Sequence, residues 1–153
     1  MLLDHTTGEY TGLDISEEML RHIPGDATQI TGSLLNIPNR DQFYDFGFGV
    51  ETLEHALNIP LAIREMARVI KKGGTLLIID KNREKQGKLK ISEWEQWLTK
   101  SEVTKLLEDE GFTVTIKNNT IWGWDVDYLN YSFSSIIILF NFSTNTLSCS
   151  VFE

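Results

Sequence analysis

The chain has little that could cross-link it or bind a metal. It carries one cysteine, Cys149, and three histidines in 153 residues. A single cysteine excludes an internal disulfide, and His5, His22 and His55 are too scattered for a metal-ligand spacing, so no metal is expected. Positive charge is also short, with 14 Lys and Arg against 22 Asp and Glu, a net charge of −8. General nucleic-acid binders neutralise phosphates with clustered cations, so that class is excluded. The densest basic stretch, Lys81 to Lys90, holds Lys81, Arg83, Lys85, Lys88 and Lys90 beside Asp80 and Glu84. It reads as a solvated loop. Long apolar runs are absent too. Ile136 to Phe140 is the longest, far below the ~20 residues of a spanning helix, so no membrane partner is expected. The opening Met1-Leu2-Leu3-Asp4-His5 has neither a basic nor an apolar region of a signal peptide. The expected compartment is therefore the reducing cytoplasm.

What remains is enough for one soluble domain. Apolar residues make up 41% of the chain, which suffices for a core without staples. The expected division is a domain over residues 1–140 and a polar tail over 141–153, rich in Ser, Thr and Asn.

Strands alternate with helices. Glu9 to Asp14 reads as a short strand, and Ser16 as the N-cap of a short helix with Glu17 and Glu18 in its first turn. Pro24-Gly25 stops that helix. Thr28 to Thr31 is a second strand. Tyr44 to Val50 is a third, with Phe46, Phe48 and Val50 on one side and Gly47 and Gly49 on the other. Glycines there suggest close approach by a backbone or a ligand. Ile63, Met66, Ala67 and Ile70 then fall at helical spacing, and Lys71-Lys72-Gly73-Gly74 supplies cations and a glycine stop. Thr75 to Asp80 is an apolar run suited to a strand buried on both faces. Ser92-x-x-Glu95 and Thr99-x-x-Glu102 are two capping boxes. Phe112 to Lys117 reads as a strand, Asn118-Asn119 as a turn, Ile121 to Trp124 as an extended arm and Ser132 to Phe140 as a last strand. The pattern predicts an α/β fold. Its sheet is mostly parallel and Rossmann-like, with helices on both faces and an antiparallel C-terminal strand.

Ligands of open α/β sheets bind at the carboxyl ends of the strands, which singles out Asp14, Ser33, Val50, Glu51 and Asp80. Asp14 either grips the two hydroxyls of a ribose or only caps the helix behind it.

Three segments carry a family resemblance. Tyr10-Thr11-Gly12-Leu13-Asp14-Ile15-Ser16-Glu17-Glu18-Met19-Leu20 resembles a segment of the class I S-adenosylmethionine-dependent methyltransferases. The likeness is to their small-molecule, type 11 group, which includes the ubiquinone and menaquinone methyltransferases. Tyr44 to His55, with its Leu53-Glu54-His55 turn, resembles the family's fourth strand. Arg64 to Leu76 resembles its helix end and fifth strand, with Lys72 where proline is usual.

The resemblance implies S-adenosylmethionine as cofactor and a small-molecule methyl acceptor. It implies that Asp14 holds the ribose, Ile15 packs on the adenine, and Ser33 and Leu34 lie along the adenine edge. An acid is common at the Ser33 position. Val50 and Glu51 would line the methionine arm, and His55 would sit near the acceptor. Glu51 and His55 are the candidates for a catalytic base, and His55 also reads as an ordinary residue at a helix start. Trp94, Trp97, Trp122 and Trp124 wall an acceptor pocket or pack in the core.

One family element is not found. Nothing before Glu9 supplies the first strand and glycine-rich turn, since His5-Thr6-Thr7-Gly8 has one glycine and no apolar strand. The expectation is a methyltransferase domain without that unit, with a gap between the Glu9 to Asp14 and Tyr44 to Val50 strands and self-association through exposed strand edges. Three functions stay open: methyl transfer to an O, N or C nucleophile, a non-catalytic remnant or partner-binding module, and a nicotinamide-dependent oxidoreductase.

Overall fold

The computed structural model describes residues 9–23, 27–86, 90–120 and 135–142. Its order matches the sequence pattern. β1 (Thr11–Asp14), α1 (Glu17–Leu20) and β2 (Thr28–Thr31) come first. β3 (Tyr44–Val50), α2 (Ile59–Val69) and β4 (Ile70–Lys81) follow, then α3 (Lys100–Asp109), β5 (Phe112–Thr120) and β6 (Ser135–Phe142). Among the described residues no helix is long and apolar enough to cross a membrane.

The strands form two sheets. β1 pairs in parallel with β2, placing Asp14 opposite Thr31. The other sheet has the order β3-β4-β6-β5. β3 and β4 are parallel, with Val50 opposite Ile79, and β6 runs antiparallel to both β4 and β5. Among the described residues no ladder joins β1 to β3, so each is an edge strand where the gap is expected.

One core serves both sheets. Ile63, Met66 and Ala67 of α2 pack with Leu76 and Ile78 of β4 and with Val103 and Leu107 of α3, and Leu13 of β1 and Leu34 lean on the same cluster. Arg68 ties the connection between the sheets to α2. Its Nη2 donates to the Ile37 carbonyl and to Glu65, and its Nη1 donates to the Asn39 carbonyl and to Asp41. Hydrogen bonds from Arg68, burial acting against them and the Ile37 amide hold Glu65 below the usual carboxylate range.

Several local expectations are corrected. The helix ends at Val69, not at the double glycine. Ile70 is extended, and Lys71, Lys72, Gly73 and Gly74 belong to β4. Tyr44 already pairs with Ile70 while Phe46 pairs with Thr75, so the chain must bulge there. Gly73 absorbs the bend at φ 82°. A Cβ on Gly74 would lie 2.7 Å from the Asp45 carbonyl oxygen. Among the described residues, side chains rather than a backbone press on the glycines of β3. A Cβ on Gly47 would meet Ile70 and Leu76, and one on Gly49 would meet Thr52 and Met66.

Ser92 to Glu95 makes a turn and no helix, because the chain instead bonds back to the Leu53–His55 turn through the Gln96 amide. β5 continues through the expected Asn118-Asn119 turn, with a register shift between Lys117 and Thr120. β6 runs two residues past Phe140. The expected arm at Ile121 to Trp124 and the tail beyond Phe142 lie outside the described residues.

The second capping box is formed. Thr99 Oγ1 accepts from the Glu102 amide at 3.2 Å, and Glu102 accepts from the Thr99 amide at 2.8 Å. Thr99→Ala removes half of this exchange and is expected to cost about 1 kcal/mol, read as a lower urea midpoint with unchanged slope.

Candidate active site at the strand tips

The predicted residues fall into two groups. At the β1–β2 end, the Gly32 amide donates to the Asp14 carbonyl at 2.9 Å, which sets Ser33 beside Asp14. Asp14 is half-buried. Its Oδ1 accepts from the Ser16 amide at 2.8 Å, and Ser16 in turn caps α1 through the Met19 amide. Asp14 Oδ2 makes no hydrogen bond to another described residue. Both readings of Asp14 therefore survive at different atoms, since Oδ1 shapes the turn and Oδ2 has no partner among the described residues. Ile15 is 78% exposed next to it. Ser33 Oγ accepts from the Leu35 amide at 3.1 Å, which leaves its hydroxyl proton to donate. Leu34 is half-buried against the core.

At the β3–β4 end, Val50 is half-exposed and the Glu51 amide donates to the Ile79 carbonyl at 2.7 Å. Glu51 has φ 49°, in the left-handed region that disfavours a residue with a Cβ. The turn that follows is locked to β4. Asp80 Oδ2 accepts from the Leu53 amide at 2.8 Å, and Asp80 Oδ1 accepts from the Lys81 amide at 2.9 Å.

Glu54, within that turn, was not singled out as a site residue, although it is the most deeply buried charge here. Its side chain is 1% exposed. Its Oε1 lies 2.7 Å from Lys81 Nζ and 3.2 Å from His55 Nε2, and its Oε2 has no hydrogen-bond partner. Burial pushes its carboxyl up to about 7 despite the opposing hydrogen bond from Lys81, and the negative Asp80 and Glu95 add to the rise. Asp80 is raised too, mainly by burial. For Lys81, burial opposes the charge, but Glu54, Glu95 and Glu51 outweigh it and the net shift is upward. Lys81 is thus no part of a solvated loop, and Asn82 beside it is buried as well.

A cavity of about 10 Å³ lies between Leu53, Glu54, Asp80, Lys81, Gln96 and Leu98. It belongs to the β3–β4 half and touches neither Asp14 nor Ser33. Trp97 is buried, with its Nε1 donating to Glu95 at 2.7 Å, so it packs rather than lines a pocket. Trp94 is exposed, and Trp122 and Trp124 lie outside the described residues. No cluster of metal-ligating side chains is found among the described residues.

The comparisons with known proteins agree with this architecture. A family model described as "Methyltransferase domain" matches residues 1–78. The demethylmenaquinone methyltransferase of Staphylococcus haemolyticus is 34% identical over 83 residues, covering 48% of this chain and 33% of that one. The chain spans about a third to a half of the length of the curated relatives it matches. The S-adenosylmethionine dependent methyltransferase of Mesorhizobium loti shares the fold at TM-score 0.69 and 13% identity, over 90% of this chain and 82% of that one. The cyclase SpnF shares it at TM-score 0.73 and 15% identity, over 92% and 68%. One fold therefore serves more than one reaction, and chemistry has to be argued from the site.

Proposed function

The chain belongs to the methyltransferase-domain family, and from that premise we propose that its strand tips bind S-adenosylmethionine and serve methyl transfer to an O, N or C nucleophile of a small molecule. One observation carries the reading. Asp14 stands at the tip of a parallel strand with one carboxylate oxygen that no other described residue binds, and the exposed apolar surface of Ile15 comes directly after it. A hydroxylated sugar joined to a flat base needs that pair of surfaces. The residues therefore fit the cofactor.

In this reading Asp14 accepts the ribose hydroxyls through Oδ2, and Ile15 covers one face of the adenine. Ser33 offers its hydroxyl proton to a ring nitrogen, and Leu34 supports the edge from below. Val50 supplies apolar contact and Glu51 a negative charge beside the positive sulfur. The bound cofactor supplies an electrophilic methyl group. The protein's part is then mostly positioning and electrostatics. Where the acceptor holds a proton, His55 and Glu51 are the two candidates to take it. The chain is read as cytoplasmic, and the β1 and β3 edges, which no ladder joins among the described residues, as places where copies associate.

The split between the two sheets favours a second reading, a partner-binding module that keeps the fold without turnover. Calorimetry with S-adenosylhomocysteine separates the two. Micromolar binding is expected. No heat at millimolar ligand leaves the module, and tighter binding of NADH revives the oxidoreductase.

A further inference from the structure

We propose that Glu54 is a positioning residue for His55, the buried counter-charge that lets this half-exposed imidazole take a proton from the methyl acceptor and hold it. The proposal rests on the reading of this end of the sheet as a methyltransferase site.

The geometry is specific to this turn. His55 has a side chain 51% exposed, while the Glu54 carboxylate 3.2 Å from its Nε2 is 1% exposed. One end of the contact therefore reaches solvent and the other is sealed. In that seal, a proton on the imidazole is attracted by a charge that water does not screen. Lys81 of β4 binds the same Oε1 at 2.7 Å, and it fixes the carboxylate against the sheet rather than neutralising both oxygens. Glu54 Oε2 has no hydrogen-bond partner among the described residues, and Glu54 lines the small cavity under the turn. A buried, half-satisfied carboxylate is costly for stability alone, which is a reason to look for a role in chemistry.

The proton balance is simple. The acceptor's O–H or N–H proton moves to His55 as the acceptor gains the methyl group. The imidazolium so formed pairs with the Glu54 carboxylate. The groups facing Glu54 are Lys81 and Asp80 from β4, Glu95 from the loop over it and His55 from its own turn. Burial places the Glu54 transition at about 7, so its charge state is measurable near neutrality.

Infrared spectroscopy of the full chain with 13C-labelled glutamate tests the pair without knowledge of the acceptor. A protonated glutamate band that titrates near neutral pH is expected in the wild type and lost in Glu54→Gln. In His55→Gln the same transition moves to higher pH, because the ring N–H that faces Glu54 Oε1 at 3.2 Å has gone. Glu54→Gln can fail to fold, but His55→Gln is half-exposed and keeps the test alive. An unmoved Glu54 transition in His55→Gln overturns the pairing, as does a wild type without any neutral-range glutamate band. Calorimetry with S-adenosylhomocysteine on the same samples reports the cofactor reading separately. Binding with no coupling sinks only the pair, and coupling with no binding sinks the cofactor reading and leaves the pair as a contact without a role in methyl transfer.

Discussion

Asp14→Ala is expected to weaken S-adenosylhomocysteine binding by about 100-fold or more. Two hydrogen bonds from hydroxyls to a carboxylate contribute ~1.5–3 kcal/mol each, and ~2.7 kcal/mol is a factor of 100 in affinity. The alanine variant also loses the acceptor for the Ser16 amide, so part of any defect could come from a loosened β1–α1 turn. Asp14→Asn separates the two effects. Its side-chain oxygen still accepts from Ser16, while an NH₂ replaces Oδ2 where ribose would bind. Thermal melting is expected to match wild type, with affinity nearly as low as in Asp14→Ala. If Asp14→Asn binds like wild type, the residue acts as a turn former and the ribose role falls.

Lys81→Met is expected to cost about 1–2 kcal/mol at about pH 8 beyond any packing loss, because a buried carboxyl without its cation takes up a proton that the wild type has released above about 7. At about pH 5 the cost is expected to be much smaller. The sign follows from proton linkage. Folding raises the Glu54 carboxyl from its ordinary 4.5 to about 7. Between those values the folded state binds more protons, so the group's contribution to stability falls as pH rises through that window. Without Lys81 the main opposing influence is gone, and the carboxyl rises further. At low pH Glu54 is neutral in both proteins and the missing cation matters little. Urea denaturation at about pH 5 and about pH 8 checks this. An equal loss at both would mean that Lys81 acts through packing, including its place 5.6 Å from the Trp97 ring. Adding Glu54→Leu to Lys81→Met removes the stranded carboxyl and is expected to recover most of the loss above neutral pH.

The boundary between sequence and tertiary structure runs through particular residues. Ile63, Met66 and Ala67 recur at the helical period and all three are buried on α2, since an apolar stripe has one stable solution against a sheet. Lys71 to Gly74 looked like a helix end by local chemistry. Pairing of Ile70 and Thr75 with β3 won instead, with Lys71 to Gly74 bulging between them, because the ladder and the burial of the strand that follows outweigh a cap worth about 1 kcal/mol. Ser92 and Glu95 failed as a capping box for a similar reason, since the Gln96 amide found its partner at Glu54.

The sequence by itself determined the order of strands and helices, the family, and Asp14 and Ser33 as neighbours, for these depend on period, spacing and adjacent strand ends. Tertiary structure alone decided that Asp14 Oδ1 is taken up by the turn through the Ser16 amide, and that Glu51 adopts a left-handed backbone. It alone decided that Glu54 meets Lys81. Those two lie 27 positions apart, and neither carries a local signal for the other. The pairing appears only when two parallel strand tips come together and exclude water, and exclusion of water is also what gives that carboxylate its unusual proton affinity.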